Sequence, residues 1–128
     1  MDRPTSILLV DDEPLILMDL EFAAEDEGLH PYCGATIATA LAHIESGIDC
    51  AVLDVSLQDG ENCLPIALEL DKRGIPYVIH SGDLDRQNET IRSLNAYRIA
   101  KPACSRKVVG AAIEAYSQTR GGMLAAAE

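Results

Sequence analysis

The stretch DCAVLDVSLQDG, residues Asp49 to Gly60, decides how this chain folds. Its first half is a short apolar run of the kind that forms a buried strand, and LQDG reads as a turn. The run ends on a carboxylate, Asp54. An unpaired buried carboxylate is costly. Asp54 therefore has a partner, a use, or a place at the mouth of the strand where water reaches it.

Working outward, the same pattern recurs on both sides. SILLV (Ser6 to Val10) is a second apolar run, closed by the acidic DDEP. Pro14 suits a helix's first turn, with Asp12 or Glu13 before it as cap and favourable charge. Ile16, Leu20 and Ala23 recur at helical spacing, which predicts a helix from Pro14 to Glu27 stopped by Gly28. HPYCGA is a short strand. Thr36 caps a helix through Ile37, Ala40, Leu41 and Ile44 that ends at Gly47. After CAVLDV, Asn62 to Arg73 form a helix with Leu64, Ala67, Leu68 and Leu70 for its inner face, and Gly74 stops it. IPYVIHSG is the fourth strand, DLDRQNETIRSLN a polar helix or helical turn with Leu84, Ile91 and Leu94, and AYRIAKP holds a fifth strand. Ser105 to Arg120 are the last helix, using Val108, Val109, Ala112, Ile113 and Tyr116, and GGMLAAAE is a short, flexible tail. Strand and helix alternate five times, the signature of a parallel sheet covered by helices on both faces.

Composition narrows the function. The 128 residues fit one domain, residues 1–120, with the tail at 121–128. Ten basic against 21 acidic residues give a formal charge of −11, which speaks against a nucleic-acid surface or docking on anionic lipid. Cys33, Cys50, Cys63 and Cys104 form no CxxC pair and read as buried or half-buried reduced thiols of a cytoplasmic protein. The N-terminus lacks a signal-peptide pattern, and no apolar run approaches the roughly 18 residues of a membrane span.

In an open parallel sheet, ligands bind beyond the carboxyl ends of the strands. The ends predicted here carry Asp11-Asp12-Glu13, Asp54, Ser81-Gly82 and Lys101-Pro102. Carboxylates, a hydroxyl and an ammonium thus meet at one edge, with Asp54 at the mouth of a site. Clustered carboxylates either raise their pKa values or bind a cation, and hard oxygen ligands suit Mg²⁺. With such a cation the site attracts phosphoryl oxygens. Ser81 and Lys101 can hold them, and Asp54 is the natural nucleophile.

The set LLVDDE, AVLDVSL, VIHSG and AKP, in this order and spacing, resembles the response-regulator receiver domain of two-component signalling over roughly Ser6 to Thr119. The resemblance implies a flavodoxin-like, doubly wound α/β fold: a five-stranded parallel sheet in order 2-1-3-4-5 with five helices. It implies Asp54 as phosphoacceptor, and Asp11 and Asp12 as the acidic pair, Asp12 the more direct Mg²⁺ ligand. Ser56 completes the metal site through its backbone carbonyl, Ser81 is the switch hydroxyl and Lys101 the phosphate-binding lysine. A histidine kinase or histidine phosphotransfer protein would donate the phosphoryl group. The chain would be no enzyme in the ordinary sense, catalysing only its own phosphorylation and dephosphorylation. With no output domain, it would signal to a downstream protein partner through the face of the fourth and fifth helices. Any homodimer would use that face too.

The sequence also departs from the family pattern. Gln58 stands where many receivers have proline. Arg98 lies three before the lysine, where an aromatic switch residue is usual, with Tyr97 one earlier. DVSLQDGEN and RGIPYVIHSG are similar to a stand-alone alphaproteobacterial subclass, although strand four has Ile79-His80-Ser81-Gly82 where that subclass has Phe-Ala-Thr-Gly. Asp59 and Glu61 read as turn and helix-start residues. His80 reads as a core or rim histidine as readily as a titrating one, and His30 and His43 carry no partner pattern. Two rival readings stand beside the first: a phosphorylation-independent interaction module on the same fold, and a flavodoxin-like nucleotide or flavin binder. The second rival would need a Gly/Ser/Thr-rich phosphate loop after strand one, and VDDEPLIL has the wrong chemistry.

Overall fold

The computed structural model describes residues 3–82, 94 and 96–127. Five strands, β1 (Ser6–Val10), β2 (His30–Gly34), β3 (Cys50–Asp54), β4 (Tyr77–Ser81) and β5 (Tyr97–Ala100), form one sheet in the order β2-β1-β3-β4-β5, every pair parallel. Among the described residues four α-helices surround it: α1 (Pro14–Asp26), α2 (Ile37–Ser46), α3 (Leu64–Arg73) and α4 (Ser105–Ala127). The expected helix over residues 83–95, and with it most of the expected fourth-and-fifth-helix face, lies outside the described residues.

The central strands are apolar because both their faces are covered. Every residue of β3 and β4 is buried. Leu8, Val10, Ala51, Leu53 and Ile79 face α2 and α3. Ile7, Leu9, Cys50, Val52 and Val78 face α1 and α4. Side chains alternate along each strand, so this division also fixes where the strand-end polar groups point.

Several boundaries differ from the expected ones. Helix α1 begins without a side-chain cap: Glu13 holds the N-cap position, but its side chain makes no cap bond. Its amide instead donates to Asp11 Oδ1 at 2.9 Å. Helix α3 begins at Leu64, not Asn62, because Asn62 Oδ1 accepts the Leu64 amide at 2.9 Å while Asn62 bridges back to Ser56. That start sets the inner face to Ile66, Ala67 and Leu70 and leaves Leu68, expected inside, 53% exposed. Helix α4 runs to Ala127, past the expected end at Arg120; its closing Met, Leu and Ala residues are good helix formers that offset the glycine pair. None of the four cysteines forms a disulfide. Cys50 and Cys63 are buried and Cys33 is half-buried, but Cys104 is exposed, because it stands in the loop just before α4 and not in a core strand.

One carboxylate that the motifs do not touch holds the far end of the sheet. Asp49 Oδ2 accepts from Thr5 N at 2.7 Å, Thr5 Oγ1 at 2.9 Å and Ser6 N at 3.2 Å. Burial alone would raise its pKa, yet these bonds outweigh it and lower it. Asp49→Ala is therefore expected to destabilise the fold by about 2 kcal/mol, the scale of hydrogen bonds to a charged group. Urea denaturation checks this, and a midpoint unchanged from wild type would contradict it.

Candidate functional site

The parallel order brings the carboxyl ends of β1, β3, β4 and β5 to one edge, and the polar residues named from the sequence arrive with them. Asp11 follows β1 and is 1% exposed; Asp54 ends β3 and is 4% exposed. Asp12 is half-buried beside them. One carboxylate oxygen from each of Asp11, Asp12 and Asp54 lies within 4.8 Å of the others. Ser81 ends β4, buried. Lys101 follows β5, where its amide donates to Ser81 O at 2.8 Å and so extends the β4–β5 pairing. The Lys101–Pro102 peptide is cis.

Lys101 is the counter-charge of the cluster. Its Nζ lies 3.2 Å from Asp11 Oδ2 and 3.3 Å from Asp54 Oδ1. Among the described residues the Lys101 ammonium is the one cation paired with the buried Asp11 Oδ2. Burial disfavours the lysine's charge, but Asp54 and Asp11 outweigh it and raise its pKa. One ammonium is too little for three carboxylates. Burial first, and the neighbouring Asp11 charge second, push Asp54 up to about 7 against the pull of Lys101.

A hard divalent cation fits this set. The donors are all carboxylate oxygens and they converge, two of the three carboxylates buried, which is the donor chemistry of a Mg²⁺ site. Ser56 sits two residues beyond Asp54, exposed, in a loop closed by bonds from Cys63 N to Val55 O and Leu57 N to Glu61 O. Gln58–Gly60 form a 3-10 turn in that loop, with Gly60 at φ +75°. No proline is needed to make the turn.

The two residues in contention at the switch position diverge. Tyr97 is in register with Val78 and Arg98 with Ile79. Tyr97, 63% exposed, thus lies on the α4 side, whereas exposed Arg98 lies on the side that Ile79 shares with Ser81. Tyr97 and the α4 residues Lys107, Gly110, Ala111 and Glu114 line a groove of about 590 Å³, away from the carboxylates. Sequence reasoning left His80 undecided. It is buried next to the site, its ring nitrogens without a hydrogen-bond partner among the described residues, and its signal in the sequence is a polar residue inside an otherwise apolar strand.

No protein-family model and no curated protein matches the chain. Solved structures do. The chain is 39% identical to SdrG from Sphingomonas melonis Fr1, over 91% of this chain and 99% of that one, with a TM-score of 0.76. It is 24% identical to a response regulator receiver protein from Sinorhizobium medicae WSM419, over 90% of this chain and 96% of that one, with a TM-score of 0.79. A CheY-like receiver domain protein from Methanospirillum hungatei JF-1 is also 24% identical, over 92% of this chain and 98% of that one, with a TM-score of 0.78. The last two likenesses speak to the fold.

Proposed function

The chain belongs to the family of response-regulator receiver domains, and from that premise we propose that Asp54 accepts a phosphoryl group in a Mg²⁺-dependent reaction. The observation that carries the reading is the convergence of Asp11, Asp12 and Asp54 on one point with Lys101 bridging two of them. Bound there, Mg²⁺ would supply charge neutralisation for the transferring group. Asp11 and Asp12 would hold it, together with Asp54 and the Ser56 carbonyl. An Asp54 carboxylate oxygen bonds to phosphorus as the bond from phosphorus to the donor's histidine nitrogen breaks, and the electron pair returns to that nitrogen, which stays on the donor as neutral imidazole. Lys101, already within reach of the Asp54 carboxylate, meets the new negative charge, and the Ser81 hydroxyl donates to a phosphoryl oxygen. The donor would be a histidine kinase or a histidine phosphotransfer protein, and the chain would act in the cytoplasm and catalyse nothing beyond its own phosphorylation and dephosphorylation.

Output passes by population shift to a protein partner. The exposed Tyr97 and the groove along α4 support that end of the molecule as the surface for a partner or a second copy. The test is intact mass after exposure to acetyl phosphate. We expect an adduct of about 80 Da, one phosphoryl group, that requires Mg²⁺. A protein that binds no Mg²⁺ and takes no adduct would instead be a phosphorylation-independent module.

A further inference from the structure

His80 is 3% exposed, and among the described residues neither of its ring nitrogens has a hydrogen-bond partner. An imidazole buried in this way is disfavoured relative to a bonded one. A β-branched apolar residue would fill the same strand position without that cost. Register sets His80 directly beside Asp54 on β3 and beside Ile99 on β5. Neighbouring strands lie about 4.8 Å apart, and paired positions of parallel strands share a face, so the His80 and Asp54 side chains leave the sheet on the same side. In either protonation state the imidazole ring carries at least one N–H. An uncommitted donor therefore stands one strand away from Asp54.

Resting on the phosphoacceptor reading, we infer that the His80 N–H donates to the Asp54 carboxylate as the phosphoryl group leaves, and so shortens the lifetime of the phosphorylated protein. In the free protein Lys101 contacts Asp54 Oδ1 at 3.3 Å. Phosphorylation draws the ammonium toward the phosphoryl oxygens, and the carboxyl oxygen it leaves turns to the imidazole. In hydrolysis a water oxygen bonds to phosphorus and the bond from phosphorus to the Asp54 oxygen breaks. Its electron pair returns to the carboxylate, the proton of the water passes to solvent, and inorganic phosphate departs. Negative charge grows on the Asp54 oxygens during that step, and a donor fixed there lowers its barrier.

The test follows decay of the acetyl-phosphate adduct in wild type, His80→Val and His80→Gln after the donor is removed. His80→Val is expected to decay about five-fold more slowly, the worth of one ordinary hydrogen bond. His80→Gln, which keeps an N–H, is expected to stay near wild type. The ring ¹⁵N resonances of His80 should shift when beryllofluoride and Mg²⁺ load the site, a signature that simple packing does not produce. Equal decay in all three proteins, equal slowing in both variants, or unmoved ring resonances would overturn the inference. Failure of wild type to take any adduct would remove the phosphoacceptor reading and this role with it. Should the valine variant not fold, the ring resonances decide alone.

Discussion

Asp54→Asn is expected to abolish phosphoryl labelling and to leave a folded protein that melts higher than wild type without Mg²⁺. The loss of labelling is the largest effect expected of any single substitution in the chain. The amide is not a nucleophile, and among the described residues no other carboxylate both ends a strand and contacts Lys101 Nζ as Asp54 does. The gain in stability follows from the electrostatics. Burial and the Asp11 charge oppose ionisation of Asp54 more strongly than Lys101 supports it, so a neutral isostere relieves the fold. Intact mass and thermal melting together check both halves. Labelling that survives in a folded Asp54→Asn protein would move the phosphoacceptor elsewhere.

The second large effect is the pH dependence of stability in the absence of Mg²⁺. Asp54 titrates near 3.8 when unperturbed and at about 7 in the fold. Below the lower value both states are protonated, and the fold has its full stability. Between the two, the unfolded chain has lost the proton that the native state keeps, so stability falls as pH rises. By about pH 7 the loss reaches a few kcal/mol, taking roughly 1.4 kcal/mol for each pKa unit. Asp49 acts with the opposite sign, since its pKa is lowered, but only as pH drops through the ordinary carboxylate range and below. Urea melts at about pH 5 and about pH 8 are thus expected to show a weaker fold at the higher pH. Millimolar Mg²⁺ should remove most of that difference, because a ligand of the ionised native site stabilises by mass action. A fold that is stronger at about pH 8 without Mg²⁺ would contradict the electrostatic account of the site.

Much of this architecture was legible because buried parallel strands and amphipathic helices write different periods into a sequence. CAVLD and SILLV could only be strands covered on both faces. Thr36 marked a helix start that the structure reproduces, its Oγ1 accepting the Thr39 amide at 3.2 Å. The convergence at the carboxyl edge was legible for the same reason: once the sheet is parallel, Asp11, Asp54, Ser81 and Lys101 have one edge to share. What was not legible depends on contacts between distant segments. Nothing near Asp49 announces that it will accept three bonds from Thr5 and Ser6, more than forty residues earlier. The later start of α3 rests on the bridge between Ser56 and Asn62, which periodicity cannot see. The unbonded state of His80 likewise depends on which neighbours close over it.

The central claim is that Asp54, and no other group, takes the phosphoryl. Borohydride reduces an acyl phosphate on an aspartate to homoserine, which peptide mass mapping then locates. After acetyl phosphate with Mg²⁺, homoserine is expected at residue 54 alone. Homoserine at residue 11 or 12, or a phosphoryl adduct that borohydride leaves untouched, would contradict the account.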